Sequence, residues 1–139
     1  MKYVLDASVG LKWVLNEVDT TIAQRVRDGF RNGAQELISP DCYVLEVAHG
    51  LTKAERRGFV PDAAALWNEL MLDCPQLFPS LPLMIRAMAI ARQAGISVYD
   101  CLYVALAERE GCDLLTADAR VINSLQSTFP FITPLAAVP

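Results

Sequence analysis

Four carboxylates in this chain of 139 residues stand where an acidic side chain needs an explanation. Asp6 follows directly on an apolar, β-prone run, Lys2 to Leu5, which puts it at the carboxyl end of a buried strand. Asp118 repeats the arrangement after Asp113 to Thr116, a compact strand. Asp100 opens a helix whose next residues, CLYVALA, hold no charge before Glu108, and a helix without a polar face lies inside a protein. At helical spacing Asp100 shares a face with Tyr103, Val104 and Ala107. Glu46 falls on the polar side of another helix, near Gly50, Lys53 and Arg57, but close to that helix's N-terminus. Gly50, one turn on, leaves bare backbone beside it. Each acid also has an ordinary reading. Asp6 and Asp118 suit helix N-caps, Asp100 with Ser97 suits a capping box and a helix dipole, and Glu46 suits solvent.

Brought together, the four have one chemistry in common. An oxygen-rich set poor in nitrogen and sulfur selects Mg²⁺ or Mn²⁺ over zinc. Two carboxylates ~4 Å apart repel by ~4 kcal/mol at an effective dielectric of 20, so such a pocket takes up protons or cations. A divalent cation there lowers the pKa of a bound water and clamps a phosphodiester for in-line attack. No side-chain nucleophile is then required, and none is evident. There is no Ser-His-Asp set, and His49 is the one histidine. Cys42, Cys74, Cys101 and Cys112 form no CxxC pair; they read as reduced core thiols of a cytosolic protein. GxGxxG, GxxxxGK[ST] and GxSxG are all missing, which removes the usual nucleotide-binding and hydrolase readings.

The elements that must position these acids follow from pattern and punctuation. Helices are expected from Ser8, over Thr20 to Arg31, from Ser39-Pro40 (Ser as N-cap, Pro at the first helical position) to Gly58, from Pro61-Asp62 to about Leu72, over Leu83 to Ala94, from Ser97, and over Ala119 to Leu125. The helix opened by Pro40 has Val44, Val47, Ala48 and Leu51 as its apolar stripe. Leu77-Phe78 is strand or loop, and Phe131-Ile132 a last strand. Short strands alternating with helices, without tight hairpins, imply a parallel α/β sheet in a single domain spanning 1–139. A 53% hydrophobic content excludes disorder. Asp6 interrupts any signal-peptide core, and the polar residues and prolines of the tail exclude a spanning helix.

Asp6-Ala-Ser8 after the first strand, Glu46 in a Pro-initiated helix, the run from Asp100 to Glu108 and Thr116-Ala-Asp118 resemble the PIN-domain nucleases. Among these the chain is most similar to the VapC-type toxins of bacterial toxin–antitoxin pairs. The resemblance runs end to end, including the opening DASVGLKWVLNE. It implies a PIN-like α/β/α sandwich that hydrolyses RNA with Mg²⁺ or Mn²⁺. Asp6, Glu46, Asp100 and Asp118 would be the metal-binding acids, and Ser8 and Thr116 the hydroxyls near the metal's waters. It also implies a homodimer and a small VapB-like antitoxin, whose basic side chain enters the acidic cleft. Some relatives carry a further acid after the one matched by Asp118; Ala119 to Ile122 offer none, so the number of metal ions stays open.

Two rivals stand beside this reading: a catalytically silent PIN-like module that docks a partner, and a structure-specific DNA nuclease, for which the chain is short. Lys53, Arg56 and Arg57, with Arg25, Arg27 and Arg31, are candidates to track a phosphate backbone, or else a solvated face. Trp13 and Trp67 read as packing residues before they read as base-stacking ones. The net charge of −4 argues against a simple basic nucleic-acid binder. Setting the four proposed ligands aside leaves a balanced remainder, so the acidity is expected to be local to the site.

Overall fold

A computed structural model describes all 139 residues. Five strands form one wholly parallel sheet: β1 (Lys2–Leu5), β2 (Glu36–Pro40), β3 (Gln76–Phe78), β4 (Asp113–Thr116) and β5 (Ile132–Pro134), in the spatial order β3-β2-β1-β4-β5. Seven α-helices supply the crossovers that parallel strands require: α1 (Ala7–Leu11), α2 (Thr20–Arg31), α3 (Tyr43–Arg56), α4 (Ala63–Met71), α5 (Met84–Ala94), α6 (Val98–Glu110) and α7 (Ala119–Leu125). Chain order runs outward from β1 in one direction through β2 and β3, and in the other through β4 and β5. That reversal opens a crevice at the carboxyl ends of β1 and β4. The α/β expectation is met, with helices on both faces of a parallel sheet.

Burial follows the expected elements closely. β1 and β4 place Val4, Leu5, Leu114 and Leu115 in the core, and α6 buries every residue from Cys101 to Ala107. Ser97 caps α6 by accepting from the Asp100 N–H, and Gly111 ends it with φ of 63°. Trp13 is buried and donates its indole N–H to the Ala23 carbonyl; Trp67 donates to that of Val44. Both tryptophans are packing residues. All four cysteines are free thiols, and no helix is long and apolar enough to cross a membrane.

The main departure lies at Ser39-Pro40, where a helix start is expected and a strand end is found. Both residues belong to β2, Ser39 donating its hydroxyl to the Leu5 carbonyl at 2.6 Å and Pro40 pairing with Phe78. Pro40 is the last residue of its strand, so the N–H it lacks costs the ladder no more than a terminal hydrogen bond. Helix α3 begins later, at Tyr43, with Cys42 as a cap that offers no side-chain hydrogen bond. Its buried face is Tyr43, Val47, Leu51 and Ala54, which leaves Glu46 at the boundary and partly buried instead of solvated. Leu77-Phe78 is strand, and the last strand sits one residue later than expected.

Two glycines let α1 lie against α3. A Cβ on Gly10 would collide with the Tyr43 hydroxyl, and one on Gly50 would meet Leu11 Cδ1 at 2.6 Å. Gly50 is thus a packing residue, not bare backbone offered to the site. Arg27 and Arg31 are also structural: both donate to Asp73, Arg27 from a nearly buried position over the Trp13 ring. Arg27 is thereby withdrawn from solvent, while Arg31 stays half-exposed with its guanidinium committed to Asp73. Gly10→Ala is expected to lower stability by ~1–3 kcal/mol despite alanine's better helix propensity. The loss should shrink in a Tyr43→Phe background, because the phenolic oxygen that clashes has no hydrogen-bond partner of its own. Urea unfolding of the double-mutant cycle measures this coupling.

Candidate active site

Asp6 stands where β1 meets α1, its backbone N–H donating to the Leu115 carbonyl at 3.0 Å, so β1 and β4 jointly fix its position. Its side chain makes no cap hydrogen bond, which sets aside the ordinary reading as an N-cap. Instead one carboxylate oxygen, Oδ2, accepts from the Ser8 hydroxyl at 2.6 Å and the Thr116 hydroxyl at 2.7 Å. Each hydroxyl is aimed by the backbone after β4. The Ala117 N–H donates to Ser8 Oγ, and the Asp118 N–H donates to Thr116 Oγ1. Asp6 is only 6% exposed and Thr116 fully buried.

The other acids gather around this pair. Asp118 caps α7 by accepting from the Arg120 N–H, so its cap role is real and leaves its second oxygen facing outward, 3.3 Å from the Arg120 guanidinium. The same guanidinium stands 3.9 Å from Asp100. Arg120 is largely exposed, which makes these ion pairs weak. Asp100 accepts from the Ser97 hydroxyl, completing a reciprocal cap. Glu46 reaches across from α3 to accept a 2.5 Å hydrogen bond from the Tyr103 hydroxyl on α6. Tyr103 was legible only as core; what makes it part of the site is its place one turn after Asp100, with its hydroxyl on Glu46.

Burial and mutual repulsion mark these groups electrostatically. Desolvation pushes the Asp6 carboxyl up to about 6; the Ser8 and Thr116 hydroxyls oppose this and the charges of Asp100 and Asp118 add to it. Glu46 is pushed up to about 7 by desolvation, against the Tyr103 hydrogen bond and with repulsion from Asp6, Asp100 and Asp118. Burial also raises Asp100, assisted by Asp118. The four acids therefore share one field. They do not form a closed cage: no three acidic, histidine or cysteine side chains stand close enough together to hold an ion. The reason is visible in the hydrogen bonds, since Glu46 is drawn to Tyr103, Asp6 to two hydroxyls and Asp118 to Arg120. As a donor set, oxygens alone and mutually repelling, they suit a hard divalent cation.

A parallel sheet with acids just after β1 and β4 and on α3 and α6 at its switch point defines an α/β class with an acidic crevice, and the PIN domain model matches residues 3–125. The chain belongs to the PIN domain family. It is 34% identical to Ribonuclease VapC3 of Pyrobaculum aerophilum, over 96% of this chain and 100% of that one. It is 33% identical to Ribonuclease VapC9 of Mycobacterium tuberculosis, over 91% and 94%. Among solved structures, PAE2754 from Pyrobaculum aerophilum superposes with a TM-score of 0.70 at 20% identity, covering 98% of this chain and 90% of that one. VapBC2 from Rickettsia felis, solved with a DNA fragment from its promoter, gives a TM-score of 0.60 at 13% identity, covering 96% and 97%. At those identities the structural likeness shows the fold.

Asp6 and Glu46 both have folded-state values above those of an unfolded chain. Folding therefore takes up protons between about pH 4 and 7, and stability falls as pH rises through that window. With chelator present, the melting temperature should be higher at pH 5 than at pH 7.5. Asp6→Asn should raise it by several °C at pH 7.5, since the buried charge costs roughly 3 kcal/mol. A scanning-calorimetry series in which Asp6→Asn melts no higher than the wild type at pH 7.5 would contradict the assignment of Asp6 as a strained, desolvated carboxylate.

Proposed function

We propose that this chain is a metal-dependent endoribonuclease, the toxin of a toxin–antitoxin pair, acting as one domain over 1–139. The observation that carries the reading is Asp6: a nearly buried carboxylate at the switch point, held by two hydroxyls and facing three further acids. Similarity to the VapC ribonucleases over nearly the whole chain supports RNA as substrate. Asp6, Glu46, Asp100 and Asp118 would hold Mg²⁺ or Mn²⁺ directly or through its waters. Bound there, the cation supplies Lewis acidity and charge neutralisation for attack of water on phosphorus.

The chain's own groups prepare that chemistry. Ser8 and Thr116 spend their protons on Asp6 Oδ2, which fixes the carboxylate's orientation and leaves Oδ1 free of them. Tyr103 holds Glu46 on the opposite wall of the cleft. Lys53, Arg56 and Arg57 project from the far end of α3 without ion-pair partners, roughly 10–17 Å along the axis from Glu46. They suit the RNA backbone beyond the cleaved bond. Leu81, Ile85 and Met88 are exposed apolar side chains in and just before α5, and they support a homodimer contact there. The VapB-like antitoxin and a cytoplasmic location follow from the same resemblance.

A silent binding module is favoured by one observation, the lack of a closed three-acid cage. Metal titration separates the two readings. Saturating Mn²⁺ should stabilise the wild type, by ~2.7 kcal/mol at 100 times its Kd, and leave Asp6→Asn unmoved. Cleavage of total RNA should need the metal and should fall ~100-fold or more in Asp6→Asn and in Asp118→Asn, both still folded. A folded double variant with full activity would end the hydrolase proposal; a wild type that Mn²⁺ does not stabilise would favour the silent module.

A further inference from the structure

Beside the carboxylates, at the carboxyl ends of β4 and β5, lies a second cavity of about 170 Å³. Its lining includes Lys12 at the end of α1, Asp19 before α2, Thr116, Ile122, Pro134 and Leu135. Thr116 belongs to both places, since its hydroxyl holds Asp6, so the cavity and the acids are neighbours along one sheet edge. The space equals that of roughly five water molecules, the scale of a single planar ring and well below a drug-sized pocket.

Two charged residues of opposite sign line this cavity, and neither is used by the fold. Lys12 makes no ion pair or side-chain hydrogen bond. Asp19 occupies the N-cap position of α2, yet its carboxylate makes no cap hydrogen bond. It is also the only non-glycine residue with positive φ, 63°, a backbone conformation that carries a cost even for aspartate. The rest of the wall is mostly aliphatic side chains and a proline ring, surfaces against which a flat ring can lie. A ligand that fits has a flat apolar face, a hydrogen-bond donor edge for Asp19 and an anionic group for Lys12. A nucleotide has all three.

Resting on the ribonuclease reading above, we propose that this cavity is a subsite for one nucleobase of the RNA strand beside the cleaved bond. Asp19 accepts from the exocyclic amino group of guanine, cytosine or adenine, and Lys12 neutralises the adjoining phosphate. Uracil has no amino group; its one donor, N3–H, is flanked by two carbonyl oxygens that repel the Asp19 carboxylate, so it is disfavoured. The subsite makes cleavage selective for a base at that position, through contacts separate from the metal-binding acids.

The test is an ¹⁵N NMR titration of the full-length chain, metal-free, with GMP, CMP, AMP and UMP. Shifts are expected at Thr116, Ile122 and Leu135, with an amino-bearing base bound about tenfold more tightly than uracil. Asp19→Gly keeps the left-handed backbone open and should erase the base preference. Lys12→Gln should weaken all four monophosphates alike and leave the free nucleosides unchanged. Ile122→Trp, which fills the cavity, should abolish binding, and circular dichroism verifies the fold of each variant. Equal affinity for the four bases, shifts confined to other residues, or a preference that survives Asp19→Gly would each overturn the proposal. RNA cleavage without localised binding overturns the subsite alone. Base-selective binding here in a chain that cleaves no RNA overturns the hydrolase reading and supports the subsite.

Discussion

The structure turns on one carboxylate held against the edge of the sheet, Asp6, with two hydroxyls donating to the same oxygen. A charge this nearly buried is costly unless its hydrogen bonds are satisfied, and here Ser8 and Thr116 satisfy one oxygen only partly against desolvation. Each hydroxyl is itself positioned by a backbone N–H just after β4. Register between β1 and β4, a few residues of paired strand, therefore sets the geometry of the acid. A slip of one residue would turn Thr116 away from the crevice and leave the Asp6 charge unsupported.

Around that centre, packing does two jobs. The close approach of α1 and α3, allowed by Gly10 and Gly50, carries the N-terminal turns of α3 toward the sheet edge and with them Glu46. The wholly buried α6 brings Tyr103 to meet it. Site residues thus arrive from β1, α1, α3, α6 and β4, elements that share one continuous core. The four acids equal in number the excess of acidic over basic residues, 16 against 12. Lys53, Arg56 and Arg57 form no ion pair, whereas the fold spends Arg27 and Arg31 on Asp73, Arg86 on Glu108 and Arg120 on Asp100 and Asp118.

Much of this was legible residue by residue. An apolar run ending in Asp marks a strand end at Asp6, and CLYVALA marks a buried helix, because both signals depend on neighbours a few residues apart. Ser39-Pro40 misled for the same reason. Ser before Pro is a local signature of a helix start, and the competing cause lies far away in sequence: the Leu5 carbonyl that Ser39 reaches and the Phe78 strand that pairs with Pro40. A stripe of Val44, Val47, Ala48 and Leu51 sets Glu46 on the polar face; the buried face instead includes Tyr43, one turn before Glu46, and so brings Glu46 to its boundary.

The sequence by itself determined the alternation of strands and helices, the parallel sheet, and the identity of the acids at element ends. These are short-range matters of period, capping and composition. Only the tertiary structure decided which of those acids share a field, which arginines are consumed by ion pairs, and that Asp19 and Lys12 line a cavity beside Thr116. Proximity between residues a hundred positions apart is set by strand order and core packing, where many weak contacts are optimised at once. No window along the chain contains that information.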